Sequence, residues 1–286
     1  MDTIVALQSL AHPFLDAVAM ALTNLGAEEA YVAMLLVVYV AIDARAGRIL
    51  GLTLLASFYA NQHLKEAFDT ARPYVLHPDL LRGGEAAAGT GPGPAFPSGH
   101  AQSATTFWGL GAVLAARPWF AGVAVALIVL VSATRVYLGV HWPIDIVGGL
   151  LVGGLFVAAG VAWIRRPPRL PGPVRVALVT LVPLAAHLLW TTPESGIIAG
   201  AFVAFGLAPM IVAHRPAGSV VQRAATALLG LALVFAWLLG TSALLPDAVK
   251  ENVWVAPARY LVLGLLGLVA TPWLARRLGL VPHEAR

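Results

Sequence analysis

Apolar runs of membrane length follow one another along almost all of this 286-residue chain, separated by short charged or Pro/Gly-rich turns. Runs at about 29–44, 48–69, 98–116, 118–138, 143–164, 174–191, 196–213, 221–241 and 257–275 approach or reach the roughly 18–20 residues that cross a bilayer. In lipid the backbone must satisfy its own hydrogen bonds, so such segments fold as packed helices. The expected fold is an all-α polytopic membrane protein with about nine spans. Composition agrees, since 59% of the residues are hydrophobic and 11% charged, against about 25% charged in a soluble domain. The spans consume the chain and leave no length for a separate soluble domain. Residues 1–27 include HPFLDAVAMALTNLG, too short and interrupted to span, and are expected to form an interfacial or re-entrant segment ending near Gly26. MDTIVALQSL lacks the basic start of a secretory signal and is expected to be retained.

The net charge of +4 does not imply a nucleic-acid partner, because the arginines sit in short turns between spans. Alternating spans place Arg45, Arg48, Arg117, Arg165, Arg166, Arg169, Arg175, Arg215, Arg223, Arg276, Arg277 and Arg286 on one side. Lys65, Arg72, Arg82, Arg135, Lys250 and Arg259 fall on the other. By the positive-inside rule the arginine-rich face is cytoplasmic, as in a bacterial cytoplasmic membrane protein. The chain has no cysteine, so disulfides, thiolate ligands and thiol nucleophiles are excluded.

Three polar clusters interrupt the apolar sequence between residues 65 and 145, all at the extracytoplasmic edge. They are KEAFDTARP (Lys65 to Pro73), FPSGH (Phe96 to His100) and TRVYLGVHWPID (Thr134 to Asp145). Charge at a membrane edge is costly, which makes ionisable groups there candidates for function. Lys65, Arg72 and Arg135 brought together make an anion site, and arginine forks suit phosphate oxygens. Ser98 and Gly99 open the third span, where free N–H groups and the positive helix end favour an anion. The bland reading, that these cations are snorkelling anchors, suits any one of them better than all three beside a helix start. His141 and Asp145 lie one helical turn apart, so the carboxylate can hold one ring nitrogen and leave the other as nucleophile. His100 can then move a proton at the leaving oxygen. A metal site of His100, His141 and Asp145 is the alternative, against which the three adjacent cations argue.

The ordered set Lys65-x6-Arg72-Pro73, Pro97-Ser98-Gly99-His100 and Arg135-x5-His141-x3-Asp145 resembles the three-part signature of the type 2 phosphatidic acid phosphatase superfamily. That group also includes bacterial acid phosphatases and vanadium haloperoxidases. Thr134 departs from it, where many members have serine. The resemblance covers about residues 28–165 and implies a six-helix phosphatase core there. Residues 166–286 then form a C-terminal transmembrane extension, behind the N-terminal segment 1–27. It further implies that His141 attacks phosphorus, that Asp145 orients it, and that His100 protonates the leaving group and later activates water. Lys65, Arg72, Ser98, Gly99 and Arg135 would hold the phosphoryl oxygens, with no metal and no cofactor. The implied substrate is a phosphorylated lipid, such as phosphatidic acid, phosphatidylglycerophosphate or undecaprenyl pyrophosphate. Its headgroup would sit in the site at the bilayer edge while its tail stays in lipid, and the choice of tail and headgroup would be set by groove shape and the loop at 75–96. A phosphotransferase and a non-catalytic lipid transporter are the alternatives, and a homo-oligomer is compatible with either.

Other polar residues read as structural. His187 and His63 are expected to be hydrogen-bonded within the bundle, and Glu194 to be solvated. Glu66 and Asp69 could pair with the first cluster's cations. Gly148, Gly149, Gly153 and Gly154 suggest close helix packing. Trp142, Trp190, Trp254 and Trp273 suggest interfacial anchors. The Gly/Pro-rich loop at about 70–97 is expected to be mobile.

Overall fold

The computed structural model describes residues 1–250 and 252–281; Arg286, counted above with the arginine-rich face, lies outside them. Helices occupy all the expected places and no strand occurs among the described residues. They are α1 (Asp2–Gln8), α2 (Pro13–Asn24), α3 (Glu28–Val37), α4 (Ala44–Phe68), α5 (Gly99–Ala104) and α6 (Leu110–Ala115). α7 (Pro118–Tyr137), α8 (Pro143–Arg165), α9 (Gly172–Leu189), α10 (Pro193–Ile211), α11 (Val220–Leu244), α12 (Val255–Leu265) and α13 (Thr271–Arg277) complete the chain. Starts follow local chemistry. Pro118, Pro143 and Pro193 stand in the first turns of α7, α8 and α10, where a missing N–H costs nothing. Ser98 and Ser219 cap α5 and α11 by accepting from Ala101 N and Gln222 N.

The span count is the main departure from expectation. Among the described residues six helical stretches are long and apolar enough to cross a membrane: α7, α8, α9, α10, α11 and the joined α12–α13 stretch Val255–Arg277. The pair α1 and α2 qualifies as a seventh only if taken together across a 118° bend. The other three expected spans are helical but differ for local reasons. α3 passes into a wide π turn at Val38–Ile42, and α5 is joined to α6 by another at Thr105–Gly109. α4 has 25 residues, yet carries Arg45 and Arg48 near its start and Asn61, Gln62, His63, Lys65 and Glu66 near its end.

Two compact units result, one of Met1–Tyr31 with Ala56–Pro167, the other of Val32–Leu55 with the chain from Pro168 onward. In the first, α8 lies against α5 and the following π turn. Gly149 is so close that a Cβ there would sit 2.6 Å from the Ser98 carbonyl oxygen, and one at Gly153 would sit 2.7 Å from that of Gln102. The small residues thus serve packing inside the unit, except Gly154, whose Cβ position meets nothing within 4 Å. The outward face of α8 carries exposed Ile144, Val147, Leu151 and Leu155, a surface suited to lipid. The N-terminal hairpin also belongs to this unit. Ile4 packs with Leu80, Ala101, Val136 and Ile146, and Arg82 forms a 3.0 Å ion pair with Asp16.

In the second unit α10 packs on α12, with Gly200 abutting the Pro257 carbonyl. His187 behaves as expected of a bundle histidine: its Nδ1 is 2.7 Å from Ser195 Oγ and its Nε2 3.0 Å from the Val253 carbonyl.

Candidate active site

Four helix ends and one loop bring the three polar clusters together in the first unit. The end of α4 supplies Lys65, the turn after it Arg72, the start of α5 Ser98, Gly99 and His100, the end of α7 Arg135, and the entry to α8 His141 and Asp145. α8 begins at Pro143, so Asp145 falls in its first turn, where its Oδ2 accepts from the Trp142 backbone N–H at 2.8 Å. The same oxygen lies 3.2 Å from His141 Nδ1. Ser98 N donates to the Asp145 carbonyl at 2.9 Å, which ties the α5 start to the α8 start. Arg72, Ser98, Arg135, His141 and Asp145 are each at most 2% exposed.

Partner chemistry settles the His141 tautomer. His141 Nε2 lies 3.1 Å from Arg72 Nη1. A guanidinium can only donate and a carboxylate can only accept, so the ring donates Nδ1–H to Asp145 and turns the Nε2 lone pair towards Arg72. Burial, then the nearby Arg72, Arg135 and Lys65 cations, hold the His141 pKa well below its ordinary value. His141 is a neutral imidazole with an oriented lone pair.

The cations are held by neutral acceptors. Arg72 donates from Nε to Gly93 O at 2.8 Å, from Nη1 to Val140 O at 2.8 Å, and from Nη2 to Pro92 O at 3.0 Å and Pro94 O at 3.1 Å. Lys65 Nζ donates to Pro94 O at 2.6 Å. Arg135 donates from Nη1 to Thr23 Oγ1 at 2.6 Å and Thr90 Oγ1 at 2.8 Å, and from Nη2 to Thr90 O at 3.1 Å. Gly91 lies between the two guanidinia: a Cβ there would be 2.6 Å from Arg72 Nη1 and 3.1 Å from Arg135 Nη2. The loop expected to be mobile is therefore built into the site, with short helical turns at Pro73–Leu76 and Gly84–Gly89. Glu66 and Asp69 are exposed, and the cations bond to carbonyls and hydroxyls instead. Trp142 ties the α8 entry to the first cluster, its Nε1 donating to Ala71 O at 3.0 Å.

His100 lies among the same cations, and its buried Nε2 has no hydrogen-bond partner. Behind it, Asn61 donates to Gln102 Oε1 at 2.8 Å, and Gln102 donates to Ser57 O at 2.7 Å, a buried polar ladder that fixes α5 on α4. His63 lies outside it, its ring edge-on to Tyr59 at 4.3 Å between centroids. Among the described residues no set of three His, Asp or Glu groups is arranged to hold a metal. The contributions that sequence reasoning missed are Thr23, Asn61, Thr90, Gly91 and Gln102. For Thr23, Asn61 and Gln102 the sign was a polar residue in an apolar helix, which carries no address for a partner 112 positions away, as for Thr23 and Arg135.

Comparison with known proteins agrees with this arrangement. The model of the PAP2 superfamily matches residues 46–169, which hold all three clusters. That of the PAP2 superfamily phosphatase transmembrane extension matches residues 193–285. The chain belongs to the PAP2 superfamily. Among curated proteins it is 41% identical over 69 residues to YbjG of Escherichia coli (strain K12), provisionally named an undecaprenyl-diphosphatase, covering 24% of this chain and 34% of that one. It is 46% identical over 61 residues to the undecaprenyl-diphosphatase of Sulfolobus acidocaldarius, covering 20% and 28% of the two chains. It is 33% identical over 110 residues to the lipid A 1-phosphatase of Rhizobium etli, covering 38% and 47%. The chain thus spans between about a quarter and a half of the length of the curated relatives it matches. No solved structure matches it significantly.

Proposed function

We propose that the chain is an integral-membrane lipid phosphatase that removes phosphate from a monophosphate or diphosphate headgroup through a phosphohistidine on His141. The observation that carries this reading is the oriented imidazole, with Nδ1 3.2 Å from the Asp145 carboxylate and Nε2 3.1 Å from a phosphate-binding class of side chain. Nε2 attacks phosphorus as the bond to the lipid oxygen breaks, and His100 gives that oxygen its proton. Water then attacks the phosphohistidine, His100 takes up the proton of the water, and the P–N bond breaks to release inorganic phosphate. Arg72, Arg135, Lys65, the Ser98 hydroxyl and the Gly99 N–H stabilise the charge on the phosphoryl oxygens. To do so, phosphate exchanges for loop carbonyls that now accept from Arg72 and Lys65. The relatives' names support a polyprenyl diphosphate or lipid A-like substrate, and the arginine distribution supports an extracytoplasmic site.

The purified protein in detergent is expected to release phosphate from at least one of undecaprenyl diphosphate, lipid A, phosphatidic acid or phosphatidylglycerophosphate, with EDTA present. Activity lost to EDTA would count against the metal-free scheme. The neutral His141 also fixes the sign of the pH response. A nucleophile whose pKa is depressed stays competent at lower pH, so His141 should impose no acid limb on kcat/KM from neutrality to below the ordinary histidine value of about 6.5. An acid limb with an apparent pKa at or above that value, measured on free enzyme and limiting lipid, would contradict it.

A further inference from the structure

We infer that the end of the N-terminal hairpin, Thr23 to Gly26, is part of the active site, with Thr23 positioning Arg135 and the Gly26 backbone setting the place of His100. The inference rests on the reading of the site proposed above. It concerns a segment that precedes the family match, which starts at residue 46.

Arg135 is 0% exposed, and its Nε is buried without a partner. Among the described residues its hydrogen bonds go to two threonine hydroxyls and one carbonyl, all uncharged. A carboxylate in their place would orient the guanidinium as well but cancel the charge that a phosphoryl group needs. Neutral acceptors fix direction and leave the charge available. Thr23, itself 0% exposed, gives the shortest of these bonds at 2.6 Å. Three residues on, Gly26 lies so close to the site that a Cβ would meet His100 Cδ2 at 2.8 Å and Val131 Cγ1 at 3.0 Å. One turn of chain therefore touches the group that binds phosphate and the group that moves the proton. The hairpin is firmly placed: Gln8 Nε2 donates to Leu80 O and Tyr137 O, both at 2.8 Å, and Asp16 accepts from Arg82 and Tyr137.

Full-length wild type, Thr23→Val, Thr23→Ser, Thr90→Val and Gly26→Ala would be compared in detergent, after thermal unfolding shows each to be folded. The readouts are kcat and KM on the lipid the wild type prefers, and affinity for inorganic phosphate by calorimetry. Thr23→Val keeps the volume and removes the acceptor, so kcat/KM and phosphate affinity should both fall roughly 10- to 100-fold. Thr23→Ser restores the hydroxyl and should recover most of that loss. Gly26→Ala displaces the His100 ring and should lower kcat while phosphate affinity stays at the wild-type value. Should Thr23→Val fail to fold, Thr90→Val, which removes the other hydroxyl, carries the same expectation for phosphate affinity. A folded Thr23→Val or Thr90→Val with wild-type phosphate affinity, or a serine variant that recovers nothing, would overturn the inference. A wild type that binds phosphate but turns over no lipid would overturn the functional reading instead, and the affinity comparison would still decide the role of Thr23.

Discussion

Replacing His141 with alanine is expected to lower phosphate release from a phosphorylated lipid by at least about 10³-fold, the scale seen when a covalent nucleophile is removed. The size follows from what the residue does in the site. His141 is the one neutral imidazole here with both nitrogens committed in direction, Nδ1 to Asp145 and Nε2 to the side of Arg72. Alanine removes the atom that would form the P–N bond. Substrate binding should suffer far less, because Lys65, Arg72 and Arg135 remain and keep their charge. Kinetic analysis should therefore find the loss in kcat, with KM changed little. Asp145→Asn is expected to follow closely. An amide in place of the carboxylate can donate to Nδ1 as well as accept, which releases the tautomer that now points the Nε2 lone pair at the phosphate side. Residual activity within about tenfold of wild type in a folded His141→Ala protein would place the nucleophile elsewhere.

Arg72→Lys is the second large effect, although it keeps the charge. Arg72 is the hub of the site, with its Nε and both Nη atoms donating to four carbonyls and its Nη1 facing His141. A lysine offers one point of charge on a flexible stem and cannot serve the loop and the imidazole at once. The expected result is a drop of roughly 10²–10³-fold in kcat/KM, with weaker inhibition by inorganic phosphate. The buried carbonyl of Val140 would lose its donor, so some loss of thermal stability should accompany it. Kinetics within about tenfold of wild type would show that charge alone suffices and that the fork geometry is idle.

Much of this was legible in the sequence, for identifiable reasons. Apolar runs placed the helices within a few residues, because a membrane-length run has few alternatives to helix. Alternation of spans put Lys65, His100, Arg135 and His141 at one edge, and those helix ends do meet in the first unit. Helix starts were legible where Pro118, Pro143 and Ser98 mark them. The count of nine spans is not confirmed: six stretches among the described residues are long and apolar enough, and the π turns at Val38–Ile42 and Thr105–Gly109 leave no mark in the hydropathy of the chain. Gly and Pro at 91–94 announced a turn but not that its carbonyls accept from two cations, because acceptors on the backbone are common to every residue type. The same blindness applied to Thr23 and Thr90, whose hydroxyls matter only through contacts made by folding. Glu66 and Asp69 looked like partners by proximity in sequence, yet helix direction and a positive φ of 40° at Asp69 leave them at the surface.

The most direct test is to stop the reaction within its first turnover and look for the phosphoryl group. Wild-type protein mixed with undecaprenyl diphosphate or the lipid it prefers, quenched in base and digested, should give an acid-labile phosphoryl group on the peptide that contains His141. The signal should be absent from His141→Ala. Rapid phosphate release with no such adduct at any time, or an adduct on another residue, would contradict the account.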